Sequence, residues 1–389
     1  MRLTRTRLTW YGYLLGGFFT FCINIQGNII PFLRDELGLS YRAVSLHPSA
    51  IAAGMIVTGL LTERVVAAIG RRRACLVAVG GSVAGMLLLC AAPVAAVSIG
   101  ACALIGVTGA MIPGILGALF AQLHGGARDR VFAEAGAVTY ACAITANLAT
   151  GAAVALMLGW RTAMLFGAAS GLLLVAIYGR DAMPEAPRRA AHVSARLPAA
   201  SWAFLVMLGL GVALEMCMLV WSPAFMEQVV GLSRPAAATA SAAFPAAMLL
   251  GRWGGSVALR LLPPSLLYPG MLLLLAPGFA LYWGTAAPAL AIVGLFVCGL
   301  AIALLYPLAL SFAVGAAGPA GDAASARSGL AAGTALLTAP IALGTLADNF
   351  GLSRAYLIAP LLACAILLCF AVARALQRRG AYAASASLP

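Results

Sequence analysis

Charged residues are scarce in this sequence of 389 residues. They make up 9% of the chain, against 63% hydrophobic residues, and the mean hydropathy is +1.01. Soluble domains carry roughly 25% charged residues, and so few charged side chains cannot cover so much apolar surface in water. The composition therefore excludes a soluble domain, a disordered chain and a coiled coil, and it predicts an integral membrane protein.

The sequence also lacks lysine, paired cysteines and phosphate-binding loops. All 24 basic residues are arginine, and none of the nine cysteines forms a CxxC pair, so neither a disulfide framework nor a zinc site is expected. Without a GxxxxGK[ST] loop, ATP-driven transport by this chain is unsupported. The net charge of +13 does not indicate nucleic acid, because the arginines stand in short clusters between apolar runs. We expect no cofactor, no metal and no nucleic-acid partner.

The apolar runs are long enough to cross a lipid bilayer. A hydrocarbon core about 30 Å thick needs about 20 apolar helical residues, and cutting the sequence at arginines and Gly/Pro clusters gives twelve such runs. The runs are 11–33, 44–68, 74–93, 97–121, 132–158, 162–179, 202–229, 236–258, 266–284, 288–315, 326–347 and 353–374. Pro113 and Pro307 occupy equivalent places in the fourth and tenth runs and are expected to kink them.

The positions of the arginines predict the orientation. With a cytoplasmic N-terminus, nineteen arginines fall in inside segments and five in outside loops, in agreement with the positive-inside rule. This count treats Arg252 as an inside residue. An even number of spans places both termini in the cytoplasm, and the arginine-only, alanine-rich composition suggests a GC-rich bacterial genome. We expect a multi-pass protein of the bacterial inner membrane.

The second half of the sequence repeats the first at an offset of 193 residues. The aligned positions are Gly38-Leu39-Ser40 with Gly231-Leu232-Ser233, Met55 with Met248, Asp129 with Asp322, and Arg161 with Arg354. Parallel repeats of six helices belong to one large class of transporters. We predict an N-terminal six-helix bundle over 1–179, a cytoplasmic linker over 180–201, a C-terminal six-helix bundle over 202–379 and a disordered tail over 380–389.

The loop between the second and third runs carries the most diagnostic motif. It reads Gly59-Leu60-Leu61-Thr62-Glu63-Arg64 and then Gly70-Arg71-Arg72-Arg73, and this pattern resembles the major facilitator superfamily. The resemblance implies an all-α membrane protein with twelve transmembrane helices in two pseudo-symmetric six-helix bundles, and a transporter rather than an enzyme. Glu63 replaces the usual aspartate, and about one extra turn precedes Gly70. The second half keeps only a remnant, Gly251-Arg252-Trp253-Gly254-Gly255.

The motif also predicts a cytoplasmic gate, because a carboxylate and guanidiniums at helix ends can pair across helices and hold one conformation. The predicted gate residues are Gly59, Glu63, Arg64, Gly70, Arg71, Arg72 and Glu134. Glu134 is expected to form a salt bridge of this gate, with the cluster Arg71–Arg73 as one partner. The alternative for the arginines is that they only anchor the topology.

The resemblance further implies a central cavity, in which Glu215 is the first candidate. It lies in the middle of the seventh run, where a charged side chain costs roughly 2.5–3.5 kcal/mol on insertion scales. A carboxyl group that gains and loses a proton as the cavity opens and closes could couple transport to protons. It could also pair with a cationic substrate, or serve only as a protonated packing group.

Other polar and aromatic residues are candidates for contact with the solute. The predicted substrate-binding residues are Thr20, Asn24, Asn28, Tyr140, Asn147, Glu215, Trp221 and Tyr306. Thr20, Asn24 and Asn28 are four residues apart and share one helix face. The alternatives are hydrogen bonds between helices for the amides, and interface anchoring or packing for the aromatic rings.

Together these features predict a monomeric secondary transporter that takes up a small organic solute by alternating access, with protons as the coupling ion. Proton-driven efflux is the alternative. Two absences count against it: exporters of the superfamily that this chain resembles often carry an arginine in the fourth helix and antiporters a glycine–proline signature in the fifth. Here the fourth run contains no arginine, and the fifth has only Gly136 and Gly151. A non-transporting sensor with the same fold is the alternative from another class.

Overall fold

The regular elements of the chain are helices. This computed structural model describes residues 5–125, 128–185 and 196–386. The helices are α1 (Arg7–Glu36), α2 (Tyr41–Val44), α3 (Leu46–Ile69), α4 (Arg71–Ala91), α5 (Ala95–Gly109), α6 (Met111–His124), α7 (Arg128–Ala155), α8 (Trp160–Tyr178), α9 (Ala199–Gln228), α10 (Arg234–Ala240), α11 (Ala243–Leu261), α12 (Pro264–Gly284), α13 (Pro288–Ile302), α14 (Leu305–Ala317), α15 (Gly321–Phe350), α16 (Leu352–Ala355) and α17 (Ile358–Ala386). We use "outer end" for the end at which α1 finishes and "inner end" for the end at which α1 begins.

Ten segments of the described chain are long and apolar enough to cross a membrane. One of them, Pro288–Phe350, has 63 residues and would measure roughly 95 Å as one helix, so it must cross more than once. The pair α10–α11, over 234–261, is not among the ten. With this pair added and the long segment divided between α14 and α15, the segments are consistent with twelve crossings, and the predicted all-α membrane fold is confirmed.

Two predicted single helices break next to a proline. The fourth crossing stops at Gly109, four residues before Pro113, and resumes at Met111, two residues before it. The tenth crossing stops at Ile302 and resumes at Leu305, two residues before Pro307. Proline removes an amide donor and crowds the carbonyl group four residues earlier, which explains a break at these places in both crossings.

The helix bounds repeat along the chain. Adding 193 to the bounds of α4, 71–91, gives those of α12, 264–284, and the same shift converts α5, 95–109, into α13, 288–302. The turn glycines repeat as well, since Gly38 and Gly231 follow α1 and α9 with φ of +62° and +82°. Residues 186–195 of the predicted linker and 387–389 of the predicted tail lie outside the described residues, whereas α17 continues to Ala386.

Helices α1 and α9 pack backbone against backbone at the point where they cross. A Cβ atom built on Gly27 would lie 2.9 Å from the main-chain oxygens of both Leu219 and Val220. Gly27 and Val220 are 193 residues apart, so the crossing joins equivalent points of the two repeats. Only glycine allows this approach, because the neighbouring atoms belong to the backbone and cannot rotate away.

Two further glycines repeat this kind of contact towards the outer end. A Cβ atom on Gly344 in α15 would lie 2.7 Å from the main-chain oxygen of Tyr41 in α2. A Cβ atom on Gly151 in α7 would lie 3.0 Å from the main-chain oxygen of Pro235 in α10. Gly151 and Gly344 are also 193 residues apart. The fifth helix of each repeat therefore touches the start of the second helix of the other repeat.

We predict that Gly27→Ala destabilises the protein by about 1–3 kcal/mol, because the added methyl group forces two backbones apart. The apparent melting temperature of the purified protein measures this loss. Gly100→Ala in α5 is the matched control, since nothing lies within 4 Å of the Cβ position at Gly100, and alanine there should be neutral or stabilising. Equal melting of the two variants would show that the crossing is looser than described.

Candidate functional site

Arg234 connects the two repeats at the outer end. Its Nη2 lies 2.6 Å from a carboxylate oxygen of Asp35, the residue before the end of α1. Its Nε lies 2.7 Å from a carboxylate oxygen of Glu227 in α9. The guanidinium also lies 5.0 Å from the ring centre of Phe32. One arginine of α10 therefore holds the outer ends of α1 and α9 together.

Asp348 makes a second connection at the same end. Its two carboxylate oxygens accept hydrogen bonds from the amide groups of Tyr41 and Arg42, at 2.7 Å and 2.8 Å. These amides belong to the first turn of α2, where a negative charge satisfies free donors and stabilises the helix. The hydroxyl group of Tyr41 also hydrogen-bonds to Gln228. A residue of α15 thus caps a helix of the other repeat.

A small void lies between α1, α3, α9 and α15, inward from these contacts. Its volume is about 20 Å³, the space of about one water molecule. The lining includes Ile23, Gln26, Met55, Leu219 and Pro340, which come from both repeats. Gln26 is buried and donates to the carbonyl group of Cys22 in its own helix. Packing between the repeats is therefore nearly complete on the outer side.

Arg252 lies inside a helix, as the predicted eighth run over 236–258 implies, although the arginine count assigned it to an inside segment. It occupies the middle of α11, which continues for nine residues to Leu261. Its guanidinium carbon lies 5.0 Å from the ring centre of Tyr140 in α7, a cation–π contact between the two repeats. The arginine count does not distinguish an arginine in the middle of a helix from one at a helix end.

Glu215 joins this contact to form a three-residue cluster. It lies in the middle of α9 and is half-buried. Tyr140 interacts electrostatically with both Glu215 and Arg252, and Glu215 interacts with Arg252. The predicted site residues Glu215 and Tyr140 are therefore brought together, with Arg252 as a member that the sequence analysis missed.

Thr20 and Asn24 lie on α1 and are both half-buried. The Thr20 hydroxyl group donates to the carbonyl oxygen of Gly16 at 3.0 Å, and the Asn24 amide donates to the carbonyl oxygen of Thr20 at 2.9 Å. Both hydrogen bonds stay within α1 and fix the rotamers of the Thr20 and Asn24 side chains. Tyr306, another predicted ligand, is half-buried next to the break between α13 and α14.

Asn28 and Asn147 pair with each other. The Asn28 amide donates to the side-chain oxygen of Asn147 at 3.0 Å, and Asn147 donates to the carbonyl oxygen of Ala143 at 2.9 Å. Both side chains are buried. Their hydrogen bonds connect α1 to α7, which is the interhelical alternative considered for the first helix.

Trp221 is fully buried near the crossing of α1 and α9. Its exposed fraction is 0%, and its ring centre lies 5.8 Å from that of Tyr41 in α2. The indole nitrogen has no hydrogen-bond partner among the described residues. Trp221 therefore packs against the outer side of the other repeat, away from the cluster of Glu215, Tyr140 and Arg252.

Glu134 has partners other than the arginine cluster considered for it. It accepts from Arg5 at 2.7 Å and from the Tyr13 hydroxyl group at 3.0 Å, and Arg130 lies at 3.3 Å. Arg5 precedes α1, Tyr13 lies in α1, and Arg130 lies one turn before Glu134 in α7. The ion pair therefore ties the start of the chain to α7 within the first repeat.

The glycine–arginine motif at the start of α4 is bound to neutral groups. Gly70 joins α3 to α4 with φ of +81°, a conformation that favours glycine. The buried Arg71 donates from Nη1 to Gln122 at 3.0 Å and to the carbonyl oxygen of Pro184 at 2.9 Å. Arg72 donates from Nε to the carbonyl oxygen of Gly179 at 2.7 Å. The motif holds the segment that follows α8.

The remaining predicted gate residues lie on α3. Gly59, Glu63 and Arg64 are exposed there, and the Cβ position of Gly59 has nothing within 4 Å. They precede Gly70 at the inner end of the same helix. The structure thus places the predicted gate residues in two groups of the first repeat, one around Arg71 and one around Glu134.

The helix arrangement and the charged cluster between two repeats define a helical membrane protein of the transporter class. The family model of the Major Facilitator Superfamily matches residues 12–333. The chain belongs to this superfamily, as the sequence motif predicted, and it is not an enzyme. No curated protein matches the chain by sequence.

Solved structures with this fold include three transporters. The nucleoside transporter NupG has a TM-score of 0.75 and 13% identity, and the match covers 95% of this chain and 99% of that chain. The peptide transporter POT in complex with sulfate has a TM-score of 0.74, 13% identity and coverage of 95% of both chains. The D-xylose-proton symporter has a TM-score of 0.69 and 15% identity, covering 93% and 96% respectively. These likenesses establish the fold.

We predict that Asp348→Ala lowers stability by about 1 kcal/mol, because it leaves the first amides of α2 without their acceptor. Asp348→Asn is the matched control, since its amide oxygen can still accept one of the two hydrogen bonds. Thermal unfolding of the purified variants should rank them wild type, then asparagine, then alanine. An alanine variant that melts like the wild type would contradict a stabilising cap.

Proposed function

We propose that this chain is a proton-coupled secondary transporter that takes up a small organic solute by alternating access. The observation that carries the proposal is the cluster of Glu215, Arg252 and Tyr140. It combines a carboxyl group, a guanidinium and an aromatic ring from both repeats, near the middle of the helices that carry them. Polar groups at this depth are rare in membrane proteins and commonly mark substrate or ion pathways.

The moving parts are two six-helix halves, over 1–179 and 202–379, joined by the linker over 180–201. The repeated helix bounds and the contacts between residues 193 positions apart support this division. In such proteins the halves rock about a central site. We place the chain in the bacterial inner membrane as a monomer, with both termini in the cytoplasm, so that the inner end defined above is the cytoplasmic one.

The arrangement corresponds to an inward-facing conformation. Contacts between the halves run from the outer end, at Arg234 and Asp348, to the middle of the helices. Contacts near the middle include Arg252 with Tyr140, and Gly333, whose Cβ position lies 2.9 Å from the side chain of Ile56. An outward-facing conformation must break the outer contacts and form others at the inner ends of α3, α7 and α15.

Proton coupling follows from the charges of the cluster. With Glu215 ionised, the carboxylate balances the charge of Arg252. With Glu215 protonated, Arg252 remains as the unbalanced charge beside Tyr140. Because Arg252 and Tyr140 lie in different halves, a proton on Glu215 changes the strength of a contact that must break or slide when the halves rock. A solute with an acceptor group for Arg252 would bind best to the protonated form.

The similar structures support a small organic cargo. They are transporters of nucleosides and peptides, and a symporter of D-xylose with protons. All of these cargoes are small polar organic molecules. Asn24 and Thr20 provide polar groups at the level of Glu215 for such a solute. Efflux through the same site is the second candidate direction.

We predict that Glu215→Gln abolishes pH-driven uptake but preserves solute counterflow, because glutamine keeps the shape and loses the titrating proton. A thermal-shift screen of the purified protein against nucleosides, sugars and peptides first identifies a cargo. Uptake into proteoliposomes, with and without a pH gradient, then measures coupling. Glu36→Gln is the control, since Glu36 pairs with Arg161 at the outer end. Normal pH-driven uptake by Glu215→Gln would refute the coupling role.

We predict that Asn24→Ala and Asn28→Ala have opposite effects. Asn24→Ala should weaken solute binding at least severalfold with little change in melting temperature, because its side chain is half-buried beside the cluster. Asn28→Ala should cost about 0.6–1.7 kcal/mol of stability, because it removes the bond to Asn147, with little change in binding by the folded fraction. Solute titrations and melting curves of both variants separate the two roles, and a reversed pattern would exchange the assignments.

A further inference from the structure

We propose that a cleft at the inner end, formed by α3, α4 and residues 183–185, binds the phosphate headgroup of an anionic lipid. The cleft has a volume of about 450 Å³. Its lining consists of Val66, Ala67, Ile69, Gly70, Arg71, Arg72, Arg73, Met183, Pro184 and Glu185. The lining thus contains three successive arginines and one glutamate, and it carries a net positive charge.

Arg71 supplies a buried and unbalanced charge. Its exposed fraction is 4%, and its two hydrogen bonds go to the neutral oxygens of Gln122 and Pro184. Its Nη2 is buried and has no hydrogen-bond partner among the described residues. A buried charge without a counter-charge is costly, and an anion in the adjoining cleft would offset this cost.

The backbone adds donors at the same place. Helix α4 begins at Arg71 and has 21 residues. Its N-cap residue is Gly70, which has no side chain that could accept hydrogen bonds from the first amide groups of the helix. The first amide of this helix with a main-chain acceptor is that of Ala74, which bonds to Gly70. The preceding amides, together with the positive end of the helix dipole, form a favourable environment for phosphate.

The apolar part of the lining favours a lipid over a free anion. Val66, Ala67, Ile69 and Met183 provide a hydrocarbon wall beside the guanidiniums, which suits a ligand whose phosphate carries an acyl-bearing backbone. The cleft lies at helix ends that we assign to the cytoplasmic surface. Basic pockets between transmembrane helices at this surface are typical sites for anionic lipid headgroups.

The test compares two double variants with the same loss of charge. Arg72→Gln with Arg73→Gln alters exposed residues of the cleft. Arg378→Gln with Arg379→Gln alters exposed residues at the end of α17. The purified full chain in detergent is titrated with phosphatidylglycerol and with phosphatidylcholine of the same acyl chains, and intact-protein mass spectrometry counts the lipids bound.

We expect phosphatidylglycerol to bind more tightly than phosphatidylcholine, and the cleft variant to lose roughly fivefold in affinity per arginine while the α17 variant binds like the wild type. Arg73→Gln alone keeps the test valid if the double variant does not fold.

Equal losses of affinity in the cleft and α17 variants would overturn the site. Inorganic phosphate that displaces phosphatidylglycerol at equal concentration would overturn the lipid assignment. The readout is binding, so failure here is distinguishable from failure of transport.

Discussion

The backbone contact between α1 and α9 at Gly27 sets the geometry of the whole chain. Because no side chain separates the helices there, they converge at a point where the two repeats meet at equivalent positions. Glu215 lies five residues before Val220, or roughly 7–8 Å closer to the inner end along α9. Asn24 lies three residues before Gly27, roughly 4–5 Å along α1. The crossing thus lies on the outer side of the polar cluster, and under the proposed alternating access it would serve as the pivot between the two halves.

The backbone contacts on the outer side follow the repeat, but the polar contacts do not. Gly151 and Gly344 occupy equivalent positions and allow equivalent approaches. Asp348, by contrast, caps α2, while the position 193 residues earlier is Ala155, which has no acceptor side chain. The close backbone packing therefore follows the repeat of the fold. The cap made by Asp348 occurs in one of the two equivalent places only. Partly exposed ion pairs such as Arg234 with Asp35 contribute little stability, so breaking this pair costs little free energy.

The membrane fold, the repeat and the family could be predicted because they depend on properties summed over many residues, namely hydropathy, loop charge and a fixed offset. The partners of single residues could not. The spacing of Asn28 gives its helix face, but only the packed structure identifies Asn147 as its partner. Arg252 belongs to a glycine-rich remnant of the motif, and only the packed structure places Tyr140 of the other repeat beside it. These contacts join distant parts of the chain and leave no local pattern.

The two charges of the central cluster argue for function rather than stability. Glu215 is half-buried in the middle of α9, and Arg252 lies in the middle of α11 with an exposed side chain. A charged side chain at membrane depth is costly, so packing alone gives little reason to keep either residue in a chain with 9% charged residues. Opposite charges keep the site close to neutral when the acid is ionised. Under the proposed coupling, a proton leaves one positive charge, which a solute with an anionic or strongly polar group can balance. Under this proposal, the proton and the solute together restore the neutral charge of the site. The net charge next to the apolar crossing is then the same in the loaded and the empty state.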